Sequence, residues 1–297
     1  MSQEQRRAID KLLRREPQGF APLPVEKMRA GFAAMMSQFP VPAEARQTPA
    51  TLAGRPAVLV EPPTEPRPGT ILYFHGGSFS LGSPHTAMGL TANLVLRTGI
   101  RALSLDYRLA PEHPFPAAIE DCLAAYRALL EDTDPSSIVF AGDSAGGGLS
   151  VTTCLAARDA GVPMPAGIVA FSPGLDHTRT GTTMATKEGV DPFFTREGMG
   201  HTGDLYLAGA DPAQPLLAPA VHADLTGFPP ILLQVGTNEV LLDDSVRLAE
   251  RARDADVDVI LDVTAGVPHV FQSFTDTLDE AGQALDRAAL FLSQRLG

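Results

Sequence analysis

One pentapeptide constrains this chain more than any bulk property does: Gly142-Asp143-Ser144-Ala145-Gly146. The apolar run SIVFA at 137–141 enters it as a strand, and GGGLSVTTCLAA at 146–157 leaves it as a helix. A G-x-S-x-G spelling in that setting makes a sharp elbow that holds the serine in a strained backbone state. The residues two before and two after the serine must then be small, and Gly142 and Gly146 meet that need. Ser144 Oγ is expected at the carboxyl end of the strand, above a helix N-terminus whose dipole favours developing negative charge. A glycine-rich helix start packed on a strand would share this spelling, so a second, independent feature has to decide between the two.

That feature follows the strand TILYF at 70–74: His75-Gly76-Gly77-Ser78-Phe79. Consecutive glycines let a backbone approach a ligand and turn its N–H groups toward it. The amides of Gly76 and Gly77 are expected to join that of Ala145 around a carbonyl oxygen as an oxyanion hole. Losing one such donor typically costs about 3–4 kcal/mol of transition-state stabilisation. A plain glycine turn between a strand and a helix is the competing reading, weakened by the elbow downstream.

The rest of the chain alternates. Strands are predicted at 57–60, 70–74, 102–105, 138–141, 167–171, 231–235 and 257–263. Helices are predicted at 85–98, 116–130, 145–160, 243–254 and 279–295. Short apolar runs alternating with helices imply α/β architecture, a mostly parallel sheet with helices on both faces. Amphipathic helices are also expected at 2–15 and 25–36, the second with Met28, Phe32, Met35 and Met36 near helical spacing. This stripe packs on a core or faces a ligand, since Met adapts to varied shapes. Residues 176–220 contain no strand pattern, but carry DPFFT at 191–195 and a helix-like stretch at 196–208. A long insertion of this kind is often functional.

Composition removes other classes. With 23 Lys and Arg against 35 Asp and Glu, the net charge is −12. No basic run exceeds two residues, so a phosphate-tracking surface and nucleic-acid binding are not expected. No stretch of 18 apolar residues suggests a membrane span, and the first residues lack a signal-peptide core. A cytoplasmic protein is expected. Cys122 and Cys154 offer neither a disulfide framework nor a metal quartet. Asp254, Asp256 and Asp258 lack the glycine and terminal glutamate of a calcium loop.

HGGSF, DYRLAPEHPFPAA at 106–118 and GDSAGGGL at 142–149, in this order, resemble the hormone-sensitive-lipase-like branch of the α/β-hydrolase esterases, with the GDSAG spelling. The resemblance runs from about residue 55 to the C-terminus. It implies an α/β-hydrolase fold with a central sheet of about eight strands and a helical cap. It also implies hydrolysis of short-chain carboxylic esters, no cofactor and a homodimer. Residues 1–45 are expected to form the N-terminal part of the cap, and 46–297 the catalytic domain with the cap insertion at about 176–220. Such esterases usually carry a third glycine where this chain has Ser78, which predicts altered loop packing rather than lost activity. Asp106, Tyr107, Arg108, Glu112 and His113 match the family's loop motif, and Asp143 is expected to brace the loop of His75.

In this fold the order along the chain is Ser, acid, His. Of the histidines after Ser144, His177, His201 and His222 lie in or beside the insertion. His269, in AGVPHVF after the last strand, is the expected base. The acid comes from GTNEVLLDDS, where alignment with the family pattern favours Glu239 over Asp243 and Asp244. Candidates to line the substrate pocket are Met35, Met36, Phe39, Phe79, Leu81, Phe193, Phe194, Tyr206, Leu207 and Val270. An uncharged small-molecule ester is the expected substrate. The same machinery serves amidases, lactonases and formamidases. A non-catalytic small-molecule receptor on this scaffold, as among plant hormone receptors resembling the family, would lack the base, and His269 argues against it.

Overall fold

The computed structural model describes residues 2–14 and 23–296. Eight strands form one sheet: β1 (Arg46–Leu52), β2 (Arg55–Glu61), β3 (Arg67–Phe74), β4 (Ile100–Leu105), β5 (Ile138–Asp143), β6 (Gly167–Phe171), β7 (Ile231–Gly236) and β8 (Val259–Thr264). Their order across the sheet is β1-β2-β4-β3-β5-β6-β7-β8. β2 runs antiparallel to both β1 and β4, and the other neighbours are parallel.

Every residue of β5, β6 and β7 is buried, as parallel strands covered on both faces must be. Period-two alternation divides the sheet between two cores. Leu72, Phe74, Ile138 and Phe140 face one, with Tyr126, Leu149 and Leu248. Ile71, Tyr73, Val139 and Ala141 face the other, with Val95, Leu285 and Leu292. The first core is built with α4 (Ala117–Leu129), α5 (Ala145–Asp159) and α9 (Leu242–Asp254), the second with α3 (Met88–Thr98) and α10 (Asp279–Arg295). No helix among the described residues is long and apolar enough to cross a membrane.

All seven predicted strands and all five predicted sheet-covering helices occur, with small shifts at their ends. The eighth strand, β1, gave no pattern because most of its side chains are exposed and Pro49 interrupts it. It lies at the sheet edge, where a missing N–H is tolerated.

Above the carboxyl ends of the strands lie two further groups of helices. α1 (Ser2–Leu13) and α2 (Val25–Met36) precede the sheet. The helix expected over 2–15 matches α1, and residue 15 lies outside the described residues. α1 buries Ile9 against Val267, Phe271 and Phe274, and Arg6 pairs with Glu280 of α10. Between β6 and β7 run α6 (Thr183–Thr186), α7 (Arg196–Leu207) and α8 (Pro219–His222), with no strand among them.

Candidate active site

Ser144 sits between β5 and α5 with φ 53° and ψ −117°. Close packing on both sides imposes this bend. A methyl group at Gly146 would lie 1.9 Å from the Phe74 carbonyl oxygen, and one at Gly142 would lie 2.4 Å from the Gly146 backbone. Only hydrogen fits, so strand and helix meet at an angle that leaves Ser144 at the tip. The Ser144 amide donates to the Phe171 carbonyl at 2.8 Å, which ties the elbow to β6.

The loop after β3 runs through three consecutive positive φ values: Gly77 at 124°, Ser78 at 53° and Phe79 at 61°. A side chain at Gly77 would meet the Leu81 carbonyl at 2.3 Å. His75 is buried, stacks on Tyr107 at 4.2 Å, and is pushed down to about 4 by burial. Tyr107 Oη donates to the His75 carbonyl at 2.7 Å. Asp143 is the brace foreseen: Tyr73 Oη donates to its Oδ1 at 2.8 Å, and its Oδ2 lies against the Cα of Gly76. Burial raises this carboxyl to about 6, with the Tyr73 hydrogen bond and the Gly76 amide opposing the rise.

A Cβ at Gly76 would meet Asp143 Oδ2, while Gly77 lines the larger cavity beside Ser144 and Ser78 lines both cavities there. Ala145 lines the smaller one. The tight contact with Asp143 was invisible in the sequence, where two adjacent glycines look equivalent.

His269 follows β8. Its Nδ1 lies 2.8 Å from Glu239 Oε2. Glu239 is fully buried, and its other oxygen accepts from Ser172 Oγ at 2.8 Å and from the Gly236 amide at 2.5 Å. The other carboxylates of that loop turn elsewhere. Asp243 accepts from the Thr183 amide at 3.0 Å, and Asp244 from the Leu175 amide at 2.8 Å. Burial raises Asp244 to about 7.

Ser172 escaped the sequence reading. It directly follows β6 with φ 46°, donates to Glu239 and accepts from the Val270 amide at 3.0 Å. One hydroxyl thus joins the acid to the residue after the base. The only hint was its place beside Pro173 at the carboxyl end of a predicted strand.

Two cavities flank Ser144. The larger, about 260 Å³, is walled mainly by apolar side chains: Phe32, Met35, Met36 and Phe39 of and after α2, then Leu81, Phe193, Phe194, Val270 and Phe274, with His269. The smaller, about 60 Å³, is more polar and includes Phe79, Asp176, His177 and Arg179. Of the pocket candidates, Tyr206 lines neither. It is buried beneath Phe79, with ring centroids 4.0 Å apart, and Phe115 meets it edge-on. Leu207 likewise packs against the core. Helical spacing placed both on α7 but could not say which face the floor covers. Asp176, His177 and Arg179 were not foreseen as lining residues.

Among the described residues no cluster of three or more His, Cys, Asp or Glu side chains could hold a metal ion.

The profile of the alpha/beta hydrolase fold family matches residues 71–273. The chain belongs to that family. Its similarity to an acetyl-hydrolase of Streptomyces hygroscopicus is 42% identity over 229 residues, covering 77% of this chain and 76% of that protein. An esterase of Acinetobacter venetianus is 38% identical over 223 residues, covering 74% of this chain and 73% of that protein. A crystal structure titled as a hormone-sensitive lipase from a metagenome library superposes with a TM-score of 0.95 at 39% identity, over 98% of each chain. An esterase of the bacterial hormone-sensitive lipase family gives 0.93 at 38%, over 99% of each. Within the α/β hydrolases, this chain therefore lies on the hormone-sensitive-lipase-like esterase branch.

Proposed function

We propose that this protein is a serine carboxylesterase acting on short-chain, uncharged esters through an acyl-enzyme. The observation that carries the reading is the 2.8 Å contact of His269 with the buried Glu239, on an imidazole that shares a cavity with the elbow serine. His269 takes the Ser144 proton as Oγ attacks the ester carbonyl, and Glu239 accepts the Nδ1–H and stabilises the imidazolium. The negative oxygen is held by the amides of Gly76, Gly77 and Ala145. His269 then protonates the departing alcohol, and water repeats the cycle on the acyl-enzyme. No cofactor enters these steps.

The base decides the orientation of the substrate. A leaving oxygen must come within reach of His269, which lines only the larger cavity, so the alcohol belongs there. The acyl group then takes the 60 Å³ side, which favours short acids. The relative named acetyl-hydrolase supports this size class. We assign α1, α2 and the 176–220 segment to the cap over this site. A homodimer belongs to the same proposal, supported by the exposed Ile260 and Val263 of the edge strand β8, and sedimentation tests it. A cytoplasmic location is also part of the reading, tested by cell fractionation.

Ser144→Ala should lower hydrolysis of p-nitrophenyl acetate by at least about 10⁴-fold with an unchanged melting temperature, and should abolish labelling by an organophosphate. Activity retained in that variant refutes the assignment. A folded wild-type protein that resists labelling would favour the receptor reading. Rates across p-nitrophenyl esters should fall beyond butyrate, and an amide analogue should be turned over far more slowly.

A further inference from the structure

The DPFFT segment carries a buried carboxylate that the triad chemistry does not use. Asp191 is 2% exposed. Its Oδ1 accepts from the amides of Phe193 at 2.8 Å and Phe194 at 3.0 Å, and its Oδ2 accepts from the Val240 amide at 2.9 Å. Val240 is the neighbour of Glu239. The rings that Asp191 orders stand edge-on to the base: Phe194 lies 4.7 Å from the His269 ring at 72°, and Phe193 lies 6.4 Å away at 69°. Each ring is anchored on its own side. Phe193 packs with Ile9, Val267 and Phe271, and Phe194 packs with Met184, Val240 and Leu241.

We propose that Asp191 is a positioning residue for catalysis, one carboxylate that fixes the Glu239 loop and the aromatic walls of His269 together, so that the imidazole keeps a single orientation. The inference rests on the esterase reading above. Its physical basis is the directness of the linkage. The acid's loop hangs on Oδ2, and the rings restricting the base hang on Oδ1 of the same group. Movement of the 176–220 segment is thereby transmitted to both triad partners without passing through the sheet. Misplacement of a catalytic group by about 1 Å can cost about a hundredfold in rate.

Charge adds to geometry. Burial raises the Asp191 carboxyl above its ordinary value, while the Val240 amide and His269 pull it back, and Glu239 raises it. Lys187 and Glu188 lie on its own segment, and Arg14 follows α1. Arg14 donates to the carbonyls of Gly189 and Val190 and pairs with Asp10.

Asp191→Asn tests this. Asn can still accept from Phe193 and Phe194, but its amide nitrogen must then face the Val240 N–H, two donors opposed. Hydrolysis of p-nitrophenyl acetate should show kcat reduced about ten- to a hundredfold with KM within about threefold. Asp191→Ser, which keeps an acceptor for the Phe193 and Phe194 amides but loses the Val240 contact, should give the same loss of kcat should the Asn variant fold poorly. A folded variant with wild-type kcat, only lower-melting, overturns the proposal and leaves Asp191 a structural tie. Ser144→Ala, run in parallel, separates the failures. If it stays active, the esterase reading falls; if it is dead while Asp191→Asn is normal, only this inference does.

Discussion

The floor and the roof of this site are specified by different physics. The floor, formed by the elbow and the loop after β3, is held by backbone approaching backbone. A methyl group at Gly146 would sit 1.9 Å from the Phe74 carbonyl and 2.6 Å from that of His75. The roof is held by side chains reaching backbone. α2 buries no residue fully, and it is tied down by Arg29, which donates to the carbonyls of Ser80 at 2.9 Å and Ala110 at 3.0 Å and pairs with Glu112. A floor of this kind tolerates almost no change. A roof of this kind can drift without collapse, which suits the part that must admit a substrate.

Two glycines set this contrast most sharply. Gly146→Ala drives a methyl into a carbonyl that the paired strand cannot withdraw, and should cost at or above the ~3 kcal/mol upper range of overpacking. Melting should drop by roughly ten degrees, with loss of turnover. Gly31→Ala, in α2, meets no atom within 4 Å and should instead stabilise by about 0.5–1 kcal/mol through helix propensity. Thermal melts of the pair check both signs. If Gly146→Ala melts like the wild type, the floor is not governed by close approach.

Where floor and roof meet, Glu239 and Asp243 stand four residues apart in different roles. Glu239→Gln keeps the shape but forces the wrong hydrogen-bond pattern on His269 Nδ1, and kcat should fall by about 10²–10⁴-fold. Asp243→Asn can keep its acceptor for the Thr183 amide and should change kcat by less than about threefold. Kinetics of the two variants decide the acid, and a reversed order would move it to Asp243.

The same contrast explains what the sequence made legible. Strands β5 to β7 are buried on both faces, and their apolar runs announced them. The elbow was readable because steric exclusion leaves glycine as the only choice at 142 and 146. At Gly76 the exclusion comes from Asp143, a neighbour in space and not in sequence, and was not legible. Ser172, Asp191 and the packing of Tyr206 under Phe79 were hidden for the same reason. Each depends on which loops the sheet order brings together at its carboxyl edge, and no periodicity records that.

Arg29→Ala probes the roof alone. Hydrogen bonds from a charged donor contribute about 1.5–3 kcal/mol, partly replaced by water at this half-exposed site. The loss should loosen the wall formed by Phe32, Met35 and Met36. KM for an ester of a bulky apolar alcohol should rise several-fold, up to about tenfold, while kcat for the acetate stays near wild type. A fall in kcat with constant KM would mean that α2 acts on the chemistry and not on binding, and would erase the distinction between floor and roof.

The smallest effect belongs to Ser78 in the floor. Ser78 occupies a left-handed conformation, φ 53°, between Gly77 and Phe79, which are also at positive φ. For a residue with a Cβ that conformation costs about 1 kcal/mol, and glycine escapes it at the expense of a more flexible unfolded chain. The two terms oppose, so Ser78→Gly should shift stability by no more than about 0.5 kcal/mol in either direction. The amide at 78 is unchanged by the substitution, so kcat for p-nitrophenyl acetate should stay within about twofold. A rate change beyond tenfold would show that the serine hydroxyl itself, and not only the backbone it shares with glycine, takes part at the cavity it lines.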